Sequence, residues 1–176
     1  MNQFMNPLGS VIDIIPGFVP VDMQTATNTG DGICLKNCAG VLVVAFKAAG
    51  TAGDDPKYTI YQQRNVGNTD GGAKALNVIE TVWKKQGAAL TGVGTWTKET
   101  QTADDDYQAD ATSAESQAVY AFWVPSSALD HADGYDCIRV DCADVGSNAQ
   151  LGCLLYILAG LRYPTAPENL PSAIVD

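Results

Sequence analysis

Residues 151–161 read Leu-Gly-Cys-Leu-Leu-Tyr-Ile-Leu-Ala-Gly-Leu, a run without a single charge. Such a run is typical of a strand that other elements cover on both faces. Upstream, residues 137–142 (Cys-Ile-Arg-Val-Asp-Cys) place apolar and charged side chains on alternate faces, which is the period of a half-buried strand. Residues 144–148 between the two segments contain Asp, Gly, Ser and Asn, which favour turns. The region 134–163 therefore predicts a β-hairpin at the centre of the fold.

Strand patterns of the same kind cover most of the chain. Residues 41–47 are almost wholly apolar and residues 58–64 alternate, so we expect these two segments to pair as antiparallel neighbours. Residues 100–115 form a long polar, acidic excursion, and residues 126–130 fit a single helical turn with a serine cap. Further strands are predicted at residues 32–36, 75–85, 92–98 and 118–124.

The count is about eight strands separated by turn residues, with no sustained helical period. That pattern predicts an all-β fold, either an antiparallel two-sheet sandwich or a barrel, with a jelly-roll-like strand order as the preferred form. A chain of 176 residues fits one such domain, residues 1–176. Within it, residues 1–23 are expected to form an extended N-terminal arm and residues 164–176 a C-terminal tail.

The N-terminal arm is apolar, yet Pro7, Pro16 and Pro20 interrupt it. Prolines at this frequency argue against a helix or a central strand. Large apolar side chains also argue against a freely disordered tail, so the arm needs a surface to bury against. Either it attaches the subunit to a partner, or it folds back as an edge strand of its own sheet. The residues that would make this contact are Val11, Ile12, Ile14, Ile15, Phe18 and Val19.

Charge and cysteine usage restrict the partners and the compartment. The formal net charge is -10, which weighs against nucleic-acid binding because that binding relies on Lys and Arg. No basic residue precedes Lys36, and the apolar run 151–161 is shorter than the ~20 residues a bilayer needs. We therefore predict neither an export signal nor a membrane segment. The five cysteines lie mostly in apolar context, which predicts reduced thiols in a protein made in a cytoplasm.

The clearest pattern of metal-ligand residues is the acidic run after residue 103. Positions 1, 3, 5, 7 and 12 of a calcium loop are matched by Asp104, Asp106, Gln108, Asp110 and Glu115. Ala109 occupies the position at which that loop needs Gly, and no helical pattern flanks the run. The sequence therefore favours a solvated acidic loop over a calcium site.

No catalytic constellation is visible in the sequence. The four cysteines Cys34, Cys38, Cys137 and Cys142 resemble a zinc set only superficially, because the last two lie five residues apart in a strand pattern and point to opposite faces. His131 is the only histidine, and no nucleophile elbow accompanies it. Phosphate-loop, dinucleotide-binding and zinc-protease motifs are missing as well. We expect a protein that is not an enzyme and binds no cofactor.

Aromatic residues at strand spacing raise a carbohydrate-binding alternative. Most aromatic residues in such positions belong to the core, but an exposed aromatic patch on a sandwich marks a binding surface. The residues concerned are Tyr58, Tyr61, Trp83, Trp96, Tyr120, Phe122 and Trp123.

Seven segments carry a family resemblance. They are Pro-Gly-Phe-Val-Pro-Val-Asp (16–22), Leu-Lys-Asn (35–37), Lys-Ala-Ala-Gly-Thr-Ala-Gly-Asp-Asp-Pro (47–56), Lys-Ala-Leu-Asn (74–77), Gly-Tyr-Asp-Cys-Ile (134–138), Asn-Ala-Gln-Leu-Gly-Cys-Leu-Leu-Tyr (148–156) and Leu-Pro-Ser-Ala-Ile-Val-Asp (170–176). In these segments the chain resembles a family of small virion structural proteins of tailed bacteriophages, similar to auxiliary or decoration proteins of the capsid.

The resemblance implies a β-sandwich subunit that assembles on the lattice of the major capsid protein, with no catalytic residues. We expect such a protein in the virion, on the capsid surface, after synthesis in the host bacterial cytoplasm. A head–tail (neck) or fibre-base component is the alternative within virions. The uncharged run 151–161 and the apolar arm exceed what a one-sided sheet must bury, and capsids offer three-fold positions, so a homotrimer is expected.

Overall fold

The computed structural model describes residues 6–87, 94–108 and 116–170. In these ranges the chain forms eleven β-strands and short 3-10 turns, without an α-helix. The strands are β1 (Ile12–Asp22), β2 (Ile33–Cys34), β3 (Gly40–Lys47), β4 (Lys57–Gln63), β5 (Lys74–Ala75), β6 (Ile79–Gly87), β7 (Thr97–Asp104), β8 (Asp106–Gln108), β9 (Gln117–Pro125), β10 (Cys137–Cys142) and β11 (Leu151–Ala159). The predicted all-β class is confirmed.

The strands form two antiparallel sheets that pack together. One sheet has six strands in the order β1-β11-β3-β9-β6-β7. The other has five, in the order β2-β10-β4-β5 with β8 paired to β4. All strand pairs are antiparallel. The predicted two-sheet sandwich is confirmed, whereas this strand order does not establish a jelly roll.

The core lies between the sheets and takes every second residue of the strands. In β3, for example, Val41, Val43 and Ala45 are fully buried, whereas the residues between them are only partly covered. The other buried residues at the centre are Tyr120, Phe122 and Val124 of β9, Leu154, Tyr156 and Leu158 of β11, Tyr58 and Ile60 of β4, and Ile138 and Val140 of β10. The period-2 rule of strands thus fills the core from both sheets.

A hydrogen bond between β10 and β11 joins the two sheets inside this core. The backbone N–H of Val140 in β10 donates to the hydroxyl of Tyr156 in β11 over 2.9 Å. On this side of β10, the strand pairs with Asn28 at Cys142 and with β2 at Cys137 and Ile138. Val140 lies between these two points, so no neighbouring strand offers a carbonyl to its N–H. Burial raises the pKa of Tyr156, which keeps the hydroxyl protonated. A buried donor that would otherwise be orphaned is therefore satisfied from across the sandwich.

The predicted hairpin of residues 134–163 is wrong. β10 pairs with β2 and β4, whereas β11 pairs with β1 and β3, so the chain crosses from one sheet to the other between them. A turn-rich connection is compatible with a hairpin and with a crossing between sheets. The crossing places β10 and β11 on opposite sides of one core, where each strand buries an apolar face. The expectation that β11 is covered on both faces is wrong as well, because Leu151 and Leu155 are exposed.

Three further expectations need correction. β4 does not pair with β3 but lies in the five-stranded sheet. The polar run expected as an excursion from residue 100 instead continues β7 to Asp104 and begins β8, because Thr-rich segments are good edge strands even without apolar residues. The strand predicted at 92–98 falls partly on residues outside the described ranges. The predicted helical turn is a 3-10 turn at Ser126–Ala128, without a side-chain cap.

The N-terminal segment forms an edge strand of its own sheet. β1 pairs antiparallel with β11, from Ile12 opposite Ala159 to Asp22 opposite Leu151. Its register shifts between Pro16 and Phe18 and again between Phe18 and Val21. Prolines lack the N–H that a central strand needs, so they are tolerated at this edge.

Replacing Tyr156 by Phe tests the bond between the sheets. We expect Tyr156→Phe to lower the free energy of unfolding by about 1–3 kcal/mol, because the N–H of Val140 loses its only acceptor inside the core. Urea unfolding should show a lower midpoint at an unchanged m-value. Tyr163→Phe is the matched control, since Tyr163 is 73% exposed. Equal stability of both variants would contradict the role given to Tyr156.

Candidate functional site

The side of the six-stranded sheet that points away from the core is apolar across β1, β11, β3 and β9, and the apolar surface extends to Trp83 of β6. Cross-strand partners define its rows: Ile14, Ile157, Leu42 and Trp123 form one, and Pro16, Leu155, Val44, Ala121 and Trp83 form the next. A third row contains Cys153, Phe46 and Val119. We call this surface, together with Leu151, the outer apolar face.

The large side chains of this face are open to solvent. The exposed fractions are 48% for Ile14, 47% for Phe46, 43% for Trp83, 43% for Trp123 and 59% for Leu151. Antiparallel sandwiches normally place polar residues on the outside. Contiguous apolar surface of this kind marks a site of interaction.

The opposite outside of the sandwich follows the normal rule. On β10, Arg139 and Asp141 form an ion pair with Nε and Oδ1 2.9 Å apart, and the guanidinium lies 5.2 Å from the centre of the Tyr61 ring. Burial raises the pKa of Asp141, although Arg139 opposes the rise. On β4 and β8, Lys57 forms an ion pair with Asp106. Among the described residues, the two outer surfaces therefore differ in kind, since only that of the six-stranded sheet is apolar.

The charge on the outer apolar face is positive, against the sign of the whole chain. Lys98 lies opposite Trp83 in the β6–β7 pair, and Lys85 lies opposite Val119. The Lys85 ammonium sits 4.6 Å from the centre of the Trp96 ring, a cation–π contact that extends the face. None of the positions in its three rows is Asp or Glu, although the chain has a net charge of -10. A partner surface that is apolar and acidic would complement it.

A groove lies at one end of the outer apolar face. It has a volume of about 270 Å³ and is lined by Pro20, Phe46, Ala48, Gln117, Leu151, Gly152 and Cys153. Six of these residues have no charged or amide side chain, so the groove fits an apolar side chain of a partner.

A larger cleft lies at the end of the sandwich where β1, β2 and the last described residues meet. Its volume is about 630 Å³. Most of its lining is apolar, and its polar side chains are those of Asp13, Asp31, Cys34, Asn37, Tyr163 and Thr165. The cleft has the size of a small-molecule site.

The arm residues predicted to bind a partner divide between two environments. Phe18 is buried in the core and Ile15 packs against it. Ile14 lies on the outer apolar face, and Val11 and Val19 are exposed. Ile12 lies opposite Ala159. The arm thus contributes to its own subunit with one part and leaves another part free for contact.

The calcium positions lie only partly in the described residues. Asp104 ends β7 and Asp106 begins β8, where it is held by Lys57. Asp110 and Glu115 fall outside the described ranges. Asp105, between Asp104 and Asp106, has a raised pKa because it is partly buried and lies beside Asp104. No group of three or more His, Cys, Asp or Glu side chains that could hold a metal ion occurs among the described residues.

His131, Cys38 and Cys142 serve structural contacts. Both ring nitrogens of His131 are engaged, by the Asp136 carboxylate at 2.8 Å and by the Ser126 carbonyl at 2.8 Å, so neither is free to act as a base. Cys38 and Cys142 are buried apart from each other: the Cys38 thiol faces the Leu35 carbonyl and the Cys142 thiol faces Met23. Burial raises the pKa of Cys142 to about 12.

The aromatic residues of the sugar-binding alternative split in the same way. The rings of Tyr58, Tyr120 and Phe122 are buried in the core, which removes them from any platform. The three tryptophans are exposed, with Trp83 and Trp123 on the outer apolar face and Trp96 against Lys85 beside it.

Sequence reasoning missed this face, although its signal was present. β3, β9 and β11 are apolar at both odd and even positions, which indicates burial on both faces. This composition does not show whether the element that covers the second face belongs to the same chain. Among the described residues of this structure, no element covers that face.

Taken together, the described residues form an antiparallel β-sandwich whose six-stranded sheet has an apolar outer surface with lysines at one side. Comparison with models of protein families, with curated proteins and with solved structures finds no match. Among the described residues, no helix has the length and apolar character needed to cross a membrane.

Tryptophan fluorescence tests the exposure of the face. Because all three tryptophans are at least 43% exposed, we expect the folded subunit to emit at a wavelength close to that of the unfolded chain. Acrylamide should quench both states with comparable efficiency. A blue-shifted emission that becomes quenchable only after unfolding in urea would show that the tryptophans are covered, and would contradict the surface described here.

Proposed function

We propose that the protein is a non-enzymatic structural protein of a tailed-phage virion, which decorates or stabilises the capsid by binding the major capsid protein. The observation that supports this proposal most is the outer apolar face, since a sandwich that exposes a whole sheet face is suited to docking on another protein. The family resemblance of the sequence supplies the partner. Burying such a face contributes about 25 cal/mol per Å² of apolar surface before the costs of association.

The face has two halves of different chemistry. The aliphatic half, on β1, β11 and β3, is uncharged and includes Ile14, Leu155 and Leu42. Uncharged apolar surface suits contact with identical copies, and here we place the interface of a homotrimer. The aromatic half contains Trp83 and Trp123 with Lys85 and Lys98 nearby. Like charges would repel between copies, so this half is assigned to an acidic patch of the capsid.

Purified virions test the assignment to the capsid. Quantitative mass spectrometry should find the protein at a copy number close to that of the major capsid protein. A dozen copies or fewer would instead favour the neck or fibre-base alternative, and absence from the particles would overturn both.

Substitutions in each half separate the two contacts. Leu155→Asp should convert a particle of about three times 18.5 kDa into a monomer in light scattering, because a carboxylate cannot be buried unpaired in an apolar interface. Trp83→Ala should leave the trimer intact and weaken capsid binding by about 2 kcal/mol, roughly 30-fold in Kd.

Charge is tested with a matched pair of variants. Lys98→Glu on the aromatic half should weaken capsid binding, whereas Arg162→Glu, which makes the same change of net charge at an exposed site elsewhere, should not. Equal effects of both variants would indicate a response to net charge alone and would contradict the assigned surface.

A carbohydrate-binding module is the second candidate, because exposed tryptophans also form sugar platforms. Trp83, Trp96 and Trp123 meet that description. A glycan array with a clear hit that Trp123→Ala abolishes would favour this reading, and an array without hits would leave the capsid as the partner.

A further inference from the structure

Two cysteines face each other across neighbouring strands. Cys34 of β2 and Cys137 of β10 are direct antiparallel partners. The adjacent pair, Leu35 opposite Asp136, is joined by a backbone hydrogen bond in which the Leu35 N–H donates to the Asp136 carbonyl over 2.8 Å. Hydrogen-bonded and non-hydrogen-bonded pairs alternate in antiparallel ladders, so Cys34 and Cys137 occupy a non-hydrogen-bonded pair.

That type of pair brings side chains closest together. Its Cα atoms lie about 4.5 Å apart, and disulfides bridge Cα separations of about 4.4–6.8 Å. The Cys34 thiol is also among the groups that raise the pKa of Cys137, which is consistent with their direct pairing. A bond between them therefore requires rotation of side chains and no movement of the backbone.

The segment that carries Cys34 is held firmly in this register. Asn28 and Cys142 exchange two backbone hydrogen bonds of 2.8 and 2.9 Å, and the Gly30 N–H donates to the Asp141 carboxylate over 3.0 Å. Gly30 is needed there, because a Cβ would lie 2.2 Å from the Val140 carbonyl oxygen. Contacts at both ends of residues 28–35 thus keep Cys34 opposite Cys137.

The two thiols have different access to solvent. Cys34 is exposed and lines the 630 Å³ cleft, whereas Cys137 is buried. Burial, and after it the neighbouring Cys34 thiol, raises the pKa of Cys137 to about 12. The pKa of Lys36 is raised first by its hydrogen bond to Asp136 and, to a smaller extent, by both thiols, which places its ammonium near them. The exposed Cys34 is therefore the thiol that reacts first.

We propose that Cys34 and Cys137 are a site of reversible oxidative modification, at which a small disulfide such as glutathione disulfide closes a cross-strand bond between β2 and β10. Cys34 Sγ gives up its proton, attacks one sulfur of the oxidant and releases one glutathione thiolate. Cys137 Sγ then gives up its proton, attacks Cys34 Sγ and releases the second. The protein loses two electrons and two protons, and the oxidant becomes two glutathione thiols.

The disulfide would strengthen the pairing of β2 with β10, which otherwise involves few residues. β2 consists of two residues, and the disulfide would close a loop of about 100 residues in the unfolded chain, which stabilises the folded state. The site is open in a reducing cytoplasm and closes when the protein reaches an oxidising environment. This inference does not depend on the proposed function.

The experiment is oxidation of the purified, reduced full chain with glutathione disulfide. Intact mass should fall by two hydrogen atoms without a glutathione adduct, and peptide mapping should link Cys34 to Cys137. The melting temperature should rise by roughly 5–15 °C over that of the reduced protein. Dithiothreitol should reverse both changes.

Two serine variants serve as controls. Cys34→Ser changes an exposed residue, so it keeps the fold and should lose both the mass change and the thermal shift. Cys153→Ser, on the outer apolar face, should keep both. A glutathione adduct that persists on Cys34, a disulfide to another cysteine, or a closed bond without thermal shift would each overturn the proposal.

Discussion

A strand has two faces, and a two-sheet sandwich has one core. This constraint shapes the whole molecule, because β3, β9 and β11 are apolar on both faces while only one face of each can point inward. The inner residues pack against the five-stranded sheet, and the outer residues form a continuous apolar surface. The free energy of burying one set stabilises the fold. The other set remains available for association, at the cost of exposing apolar surface in the free subunit.

The contacts that hold the sheets together are consistent with this division. Tyr156 points inward from β11 and accepts from Val140, while its neighbour Leu155 points outward. Substitutions at adjacent positions of the same strand should therefore have separate effects, one on stability and the other on assembly. That separation follows from the period of the strand. It makes the two roles experimentally independent.

The sequence predicted the class of fold and most strand positions, because alternation and turn residues are local signals. It did not predict which strands pair. The connection after Cys142 is as compatible with a hairpin as with a crossing to the other sheet, and only the sharing of one core decides between them. Most of β7 was missed because a polar edge strand such as Thr97–Asp104 has no apolar period. The outer apolar face was hidden for a related reason, since strand composition does not reveal what covers its second side. Cys34 and Cys137 lie opposite each other because of the strand register, which no local sequence pattern encodes.

If the outer apolar face is an assembly surface, a bound partner must cover its tryptophans. Hydroxyl-radical footprinting of Trp83 and Trp123, read by mass spectrometry in the isolated subunit and in purified virions, tests it most directly. Tyr163, at 73% exposure, is the internal reference for radical dose. Both tryptophans should be oxidised several-fold more slowly in the virion, while the reaction of Tyr163 should change little. Equal oxidation of Trp83 and Trp123 in the two states would contradict it.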